Sequence, residues 1–83
     1  MSSIAEMRAL LAQVQEHLGE AYRVTGVAAQ RAEDSAAVLT ELGRTHPEPL
    51  VPPELNHARE QIAEGLTWIA ETADTLDRYT NLL

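Results

Sequence analysis

Glu54 and His57 stand three residues apart. On a helix that spacing turns a carboxylate and an imidazole to one side, as in the paired ligand motifs of di-iron carboxylate proteins. Glu41 and Glu48 are the acids near enough in sequence to complete such a centre in an oligomer. Glu54 and His57 nevertheless fall beside the apolar row described below, and that row has no acidic position. The simpler reading is an acid that compensates a helix dipole and a solvated histidine, so no metal or cofactor is expected. A second histidine, His17, has Glu16 and Glu20 close by in sequence, with Arg31 further along. No serine is placed to be activated by it and the chain has no cysteine, so nucleophilic catalysis lacks its nucleophile and no catalytic residue is assigned. His17 reads as a helical histidine at an interface or in solvent.

Trp68 is the sole tryptophan. With Gly65 and Thr72 as its neighbours along a helix, it has room for something to lie over the ring, and tryptophan is enriched where proteins anchor one another. The chemistry suggested by these residues is therefore association.

Composition narrows the partner. Thirteen acids against six bases give a net charge of −7, a sign that repels nucleic acid and anionic lipid. The bases are all arginine, with no lysine or phenylalanine and much alanine, the usage of a GC-rich genome. The opening residues Met1 to Glu6 show no basic region followed by an apolar run, and no stretch approaches the ~20 apolar residues of a membrane span. A cytoplasmic product is expected, with export by a route needing no cleaved signal peptide left open.

At 83 residues the chain is one small domain, a size at which a core of its own yields only about 3–5 kcal/mol without a staple. Disulfides are unavailable, and the three histidines lack the spacing of a structural zinc site. Association is the remaining staple.

Two helices must position these residues. All four prolines fall between Pro47 and Pro53, so the chain divides into a helix over about 4–42, a proline-rich loop over 43–52 and a helix over about 53–83. Ser3 and Glu6 have capping-box spacing, Gly43 is placed to end the first helix in a left-handed conformation, and Pro53 suits the first turn of the second. Gly19 and Gly26 inside the first helix mark a bend, a face open to another backbone or, most simply, tolerated surface positions.

Alternating steps of three and four trace an uncharged row on the first helix: Ile4, Met7, Leu11, Val14, Leu18, Ala21, Thr25, Ala28, Ala32, Ser35, Leu39 and Leu42. On the second helix they trace Leu55, Arg59, Ile62, Leu66, Ile69, Ala73, Leu76, Thr80 and Leu83. Folded antiparallel with Leu42 level with Pro53, residues at one height have numbers adding to roughly 95. Bulky Ile62, Leu66 and Ile69 then face the small middle of the first helix. That register leaves an overhang of roughly 12 Å, carrying Ile4, Met7, Leu10 and Leu11. A second ridge flanks the row, with Leu10, Val24, Val27 and Val38 on one helix and Ala58, Gly65, Trp68, Thr72, Tyr79 and Leu82 on the other. One partner helix cannot cover both ridges. The expected interface is Ile4, Met7, Leu10, Leu11, Val24, Val38, Gly65, Trp68, Thr72 and Tyr79, and two hairpins are expected to form a four-helix bundle.

This layout resembles the small helical-hairpin proteins of actinobacterial type VII secretion across the whole chain. It does so in architecture, not in motif. Their Trp-x-Gly turn is replaced here by Gly43 to Pro53, and Leu83 stands where an acid would follow Tyr79 in their export signal. The resemblance implies a non-catalytic partner that binds, shields or escorts a helical region of a larger protein, with secretion of that protein left open. The alternative is a self-associating structural or regulatory bundle, and the third class is the di-iron oxidase.

Overall fold

The computed structural model describes residues 3–83, and their architecture is an all-α antiparallel hairpin. Helix α1 spans Ile4–Leu42, 39 residues, and α2 spans Pro53–Leu82, 30 residues, with one turn of 3-10 helix at Gly43–Thr45 between them. Among the described residues no helix is long and apolar enough to cross a membrane. The start of α1 follows from its cap: the Ser3 hydroxyl accepts the Glu6 amide at 3.1 Å. Pro53 occupies the first turn of α2, where its missing N–H leaves no bond unmade.

The end of α1 departs from expectation. Gly43 is right-handed, at φ −81° and ψ −7°, and no glycine among the described residues has positive φ. The helix tightens into the 3-10 turn, whose i→i+3 bonds take up terminal carbonyls, so a left-handed residue is not needed. His46 then closes the turn by donating its N–H to the Gly43 carbonyl at 3.1 Å, and the Glu48 amide donates to His46 Nδ1 at 3.2 Å. Leu50 packs back against Gly43.

This descent shifts the register by about a turn. The Arg59–Glu33 ion pair crosses the helices, and Met7, Leu10 and Leu11 share a cleft with Tyr79 and Leu83. Paired numbers therefore add to about 90–92 in place of 95, and α2 starts below Leu42 and reaches further toward the α1 N-terminus. Leu11 is half-buried, and the overhang shrinks to the first turn around Ile4.

The row on α2 is the expected one, Leu55 through Leu83, every member half-buried. On α1 the row holds in part. Leu11, Leu18, Ala21, Thr25, Ala32 and Leu39 are half-buried, while Val14, Ala28, Ser35 and Leu42 are exposed and their places are taken by Gln15, Ala29, Ala36 and Gly43. Small side chains opposite Ile62, Leu66 and Ile69 let the axes approach, which outweighs the larger apolar bulk of Val14 and Leu42. Gln15 joins the row by donating its amide to the Ala73 carbonyl at 2.8 Å.

Little is enclosed. Ala36, 5% exposed, is the one buried residue among those described. The rod measures 64 × 18 × 14 Å with a radius of gyration of 19.0 Å, against about 12 Å for a compact domain of this length. Its surface is 6403 Å², where a compact monomer of this mass exposes about 4,900 Å².

Two substitutions test this packing by denaturant titration. Ala36→Leu forces the axes apart and is expected to destabilise by about 1–3 kcal/mol. A Cβ at Gly19 meets nothing within 4 Å, so Gly19→Ala is expected to stabilise by about 1 kcal/mol through helix propensity alone.

Candidate functional site

The rows that flank the inter-helix seam give the hairpin two unlike sides. In an antiparallel pair, equivalent heptad positions of the two helices flank the seam on the same side. On one side α1 presents Met7, Leu10, Val14, Val24, Val38 and Leu42, and α2 presents Trp68, Tyr79 and Leu82, all exposed. The shared cleft of Met7, Leu10 and Tyr79 confirms that the two rows lie together. A second cleft on this side, toward the loop, is lined by Ser35, Val38 and Leu39 with Asp34 at its rim.

Of the expected interface residues, Met7, Leu10, Val24, Val38, Trp68, Thr72 and Tyr79 are exposed on this side, and Gly65 is half-buried among them. Trp68 is 61% exposed and Leu82 84%. Leu11 belongs to the inter-helix seam instead, and Ile4 lies beyond the reach of α2, exposed at the tip. Val27, grouped with this ridge by sequence, is exposed further round α1. Val14 and Leu42 join the face unexpectedly, having been assigned to the seam. The small series Ala29, Ala36 and Gly43, each seven residues from the next, was the signal that the close contact lay one position over.

The polar members of the face are satisfied within their own helices. Thr72 Oγ1 donates to the Trp68 carbonyl at 2.7 Å and Ser35 Oγ to the Arg31 carbonyl at 2.8 Å. Such back-bonding leaves the rest of each side chain to the surface and asks for no polar partner. By heptad position, Arg31 and Glu54 are the only charged residues in these outer rows, and His17 is their one imidazole.

The opposite side is mixed, polar toward the loop and made of small and apolar residues around Gly19 and Tyr22. Arg59 makes a two-pronged bond to Glu33, at 2.9 Å from Nε and 2.6 Å from an Nη, while its other Nη reaches Asn56 Oδ1 at 2.9 Å. Glu60 borders the same cleft, whereas a second cleft on this side is mainly apolar, lined by Leu18, Gly19, Tyr22, Ile69, Ala70 and Ala73 with Gln15 and Asp74. Gly26, like Gly19, has nothing within 4 Å of a built Cβ, so no contact inside the hairpin requires either glycine.

Glu54 and His57 are both exposed, and among the described residues no three His, Asp or Glu side chains gather into a metal-holding group. The fold brings neither Glu41 nor Glu48 to them. Compared with known protein families, with curated proteins and with solved structures, the chain matches none.

The Arg59 hydrogen bond holds the Glu33 carboxyl below its ordinary range, opposed by partial desolvation and aided by charge attraction. A folded-state pKa below the unfolded one stabilises the fold at neutral pH, and that contribution is lost as pH falls through the lowered value. Below the ordinary carboxylate range of about pH 4, the denaturation midpoint of the wild type should therefore drop more steeply than that of Arg59→Gln. Parallel pH profiles would show that the pair contributes nothing.

Proposed function

We propose that this chain is a non-catalytic protein–protein interaction module, a half-bundle whose apolar face is completed by two helices from other polypeptide. The observation that carries the reading is the exposed face from Met7 and Leu10 through Val24 and Trp68 to Val38, on a hairpin that buries almost nothing by itself. Burying one such side chain is worth about 1.5–3 kcal/mol. Covering the face therefore supplies the stability that an isolated hairpin of this size lacks, and the covered product is a four-helix bundle.

The type VII resemblance supports a role as a small hairpin partner that binds, shields or escorts a helical region of a larger protein. A structural or regulatory bundle of identical chains uses the same face in the same way. The di-iron reading has less support, because Glu54 and His57 lie at the edge of the hairpin without a further carboxylate beside them.

The test is a double substitution, Val24→Glu with Trp68→Glu, against Thr67→Glu, an exposed position off the face. The face variant is expected to lose association and about 3 kcal/mol or more of stability, measured by sedimentation and thermal melting, while Thr67→Glu behaves as wild type. A wild-type chain that melts cooperatively at a concentration-independent monomer mass, unchanged in the face variant, would overturn the reading.

A further inference from the structure

We propose that α1 has two rotational settings against α2, the observed one and a second about 50° round its axis that withdraws part of the exposed apolar face; the role of the second as a mask rests on the interaction-module reading of that face. The row Leu11, Leu18, Thr25, Ala32 and Leu39 lies in the seam in both settings, and only its companion row changes. As observed, the companion is Gln15, Tyr22, Ala29, Ala36 and Gly43. In the second setting it is Met7, Val14, Ala21, Ala28, Ser35 and Leu42, the uncharged row that completes the heptad pattern. The two companion rows stand one residue apart, about 100° round the helix, so half that turn exchanges them.

Sterics permit both settings. Ile62, Leu66 and Ile69 need small residues opposite them, and the second row supplies Ala21, Ala28 and Ser35 where the first supplies Ala29 and Ala36. Near Ile69 the second row is the better fit, because Ala21 takes the place of Tyr22, which stands 49% exposed in the cleft it shares with Ile69. The flank of α2 toward which α1 turns carries Ala58, Gly65 and Thr72. A Cβ built on Gly65 meets nothing within 4 Å, so that flank has room for the incoming row.

Burial and polar links pull in opposite directions. Val14 and Leu42 are 42% and 62% exposed as observed, and the turn carries both into the seam. It also swings Gln15 and Glu33 away from α2, which breaks the amide bond to the Ala73 carbonyl and the Arg59 clasp, and it gives up the close approach at Ala36. An apolar gain set against two polar latches and one tight contact is the balance of two packings close in free energy. A partner seated on the face covers Val14 and Leu42 and holds the observed setting, whereas the uncovered chain populates both. The hairpin thereby hides part of its own docking surface until a partner meets it.

The experiment uses the full chain, which has no cysteine of its own, diluted until it sediments as a monomer. In the register that the Arg59–Glu33 pair marks, Ala36 and Leu55 lie level across the seam. Ala36→Cys with Leu55→Cys should therefore close a disulfide in the observed setting, and Ser35→Cys with Leu55→Cys in the second. Both pairs are expected to close, at rates within about tenfold of each other. Adding Gln15→Ala and Arg59→Gln removes the latches and should shift the ratio of the two rates about tenfold toward the Ser35 pair. Adding Val14→Gln and Leu42→Gln strips the second row of its bulk and should shift the ratio about tenfold the other way. A Ser35 pair that stays open while the Ala36 pair closes shows a single setting and overturns the proposal, and so does a ratio that neither set of substitutions moves. Should the latch-free chain lose its helical circular dichroism, the Val14 and Leu42 variant decides alone. These rates belong to the monomer, so their failure leaves the association test with Val24→Glu and Trp68→Glu standing, and failure of that test leaves the ratio as it was.

Discussion

The structure depends on one steric match: the large row Leu55, Ile62, Leu66 and Ile69 of α2 lies against a row of small residues on α1 that runs from Ala36, the most buried, through Ala32 and Ala29 to Thr25 and Ala21. Close approach of two helices needs small residues on at least one of them, and α1 supplies them at heptad intervals through Ala29, Ala36 and Gly43. Once those positions face α2, the rotation of α1 about its axis is set. The larger residues one step away, Val14, Val38 and Leu42, are then turned outward. The exposed face follows from how the inner contact is made.

Two polar links hold the helices in longitudinal register. Gln15 reaches the α2 backbone toward one end and Arg59 clasps Glu33 toward the other. Apolar rows alone tolerate slippage by a heptad, since each step presents similar surface. A side-chain amide on one particular carbonyl, and a guanidinium matched in two prongs to one carboxylate, do not. Both links border the side of the hairpin away from Val24 and Trp68, whose own face carries Arg31 and Glu54 as the only charges in its outer rows.

Much of this was legible in the residues. Helix limits followed from Ser3, the proline cluster and Pro53, because capping and ring constraints act locally. The inner row of α2 was legible throughout, since its large apolar residues recur at one spacing and leave no competing row. On α1 two rows compete, Leu11 with Val14 or Leu11 with Gln15, and hydrophobicity favours the first while packing selects the second. That choice is made between helices, where single-chain periodicity carries no information. The register was missed for a similar reason: whether Gly43 reverses or extends the helix depends on Leu50 packing back upon it. Trp68, Tyr79 and Val24 were recognisable as outward residues because their ridge lies well away from either candidate seam.

The Trp68 flank of this rod holds only Arg31 and Glu54 as charges in its outer rows while most acids lie elsewhere, and that unequal distribution would limit any assembly built on the flank. A surface with complementary patches at two separate places can add subunits without end, whereas a molecule with a single cohesive side is exhausted when that side is covered. What remains outward carries most of the −7 charge and discourages further aggregation. Under the proposed covering of the Val24 and Trp68 face, that charge distribution favours small, closed particles over fibres.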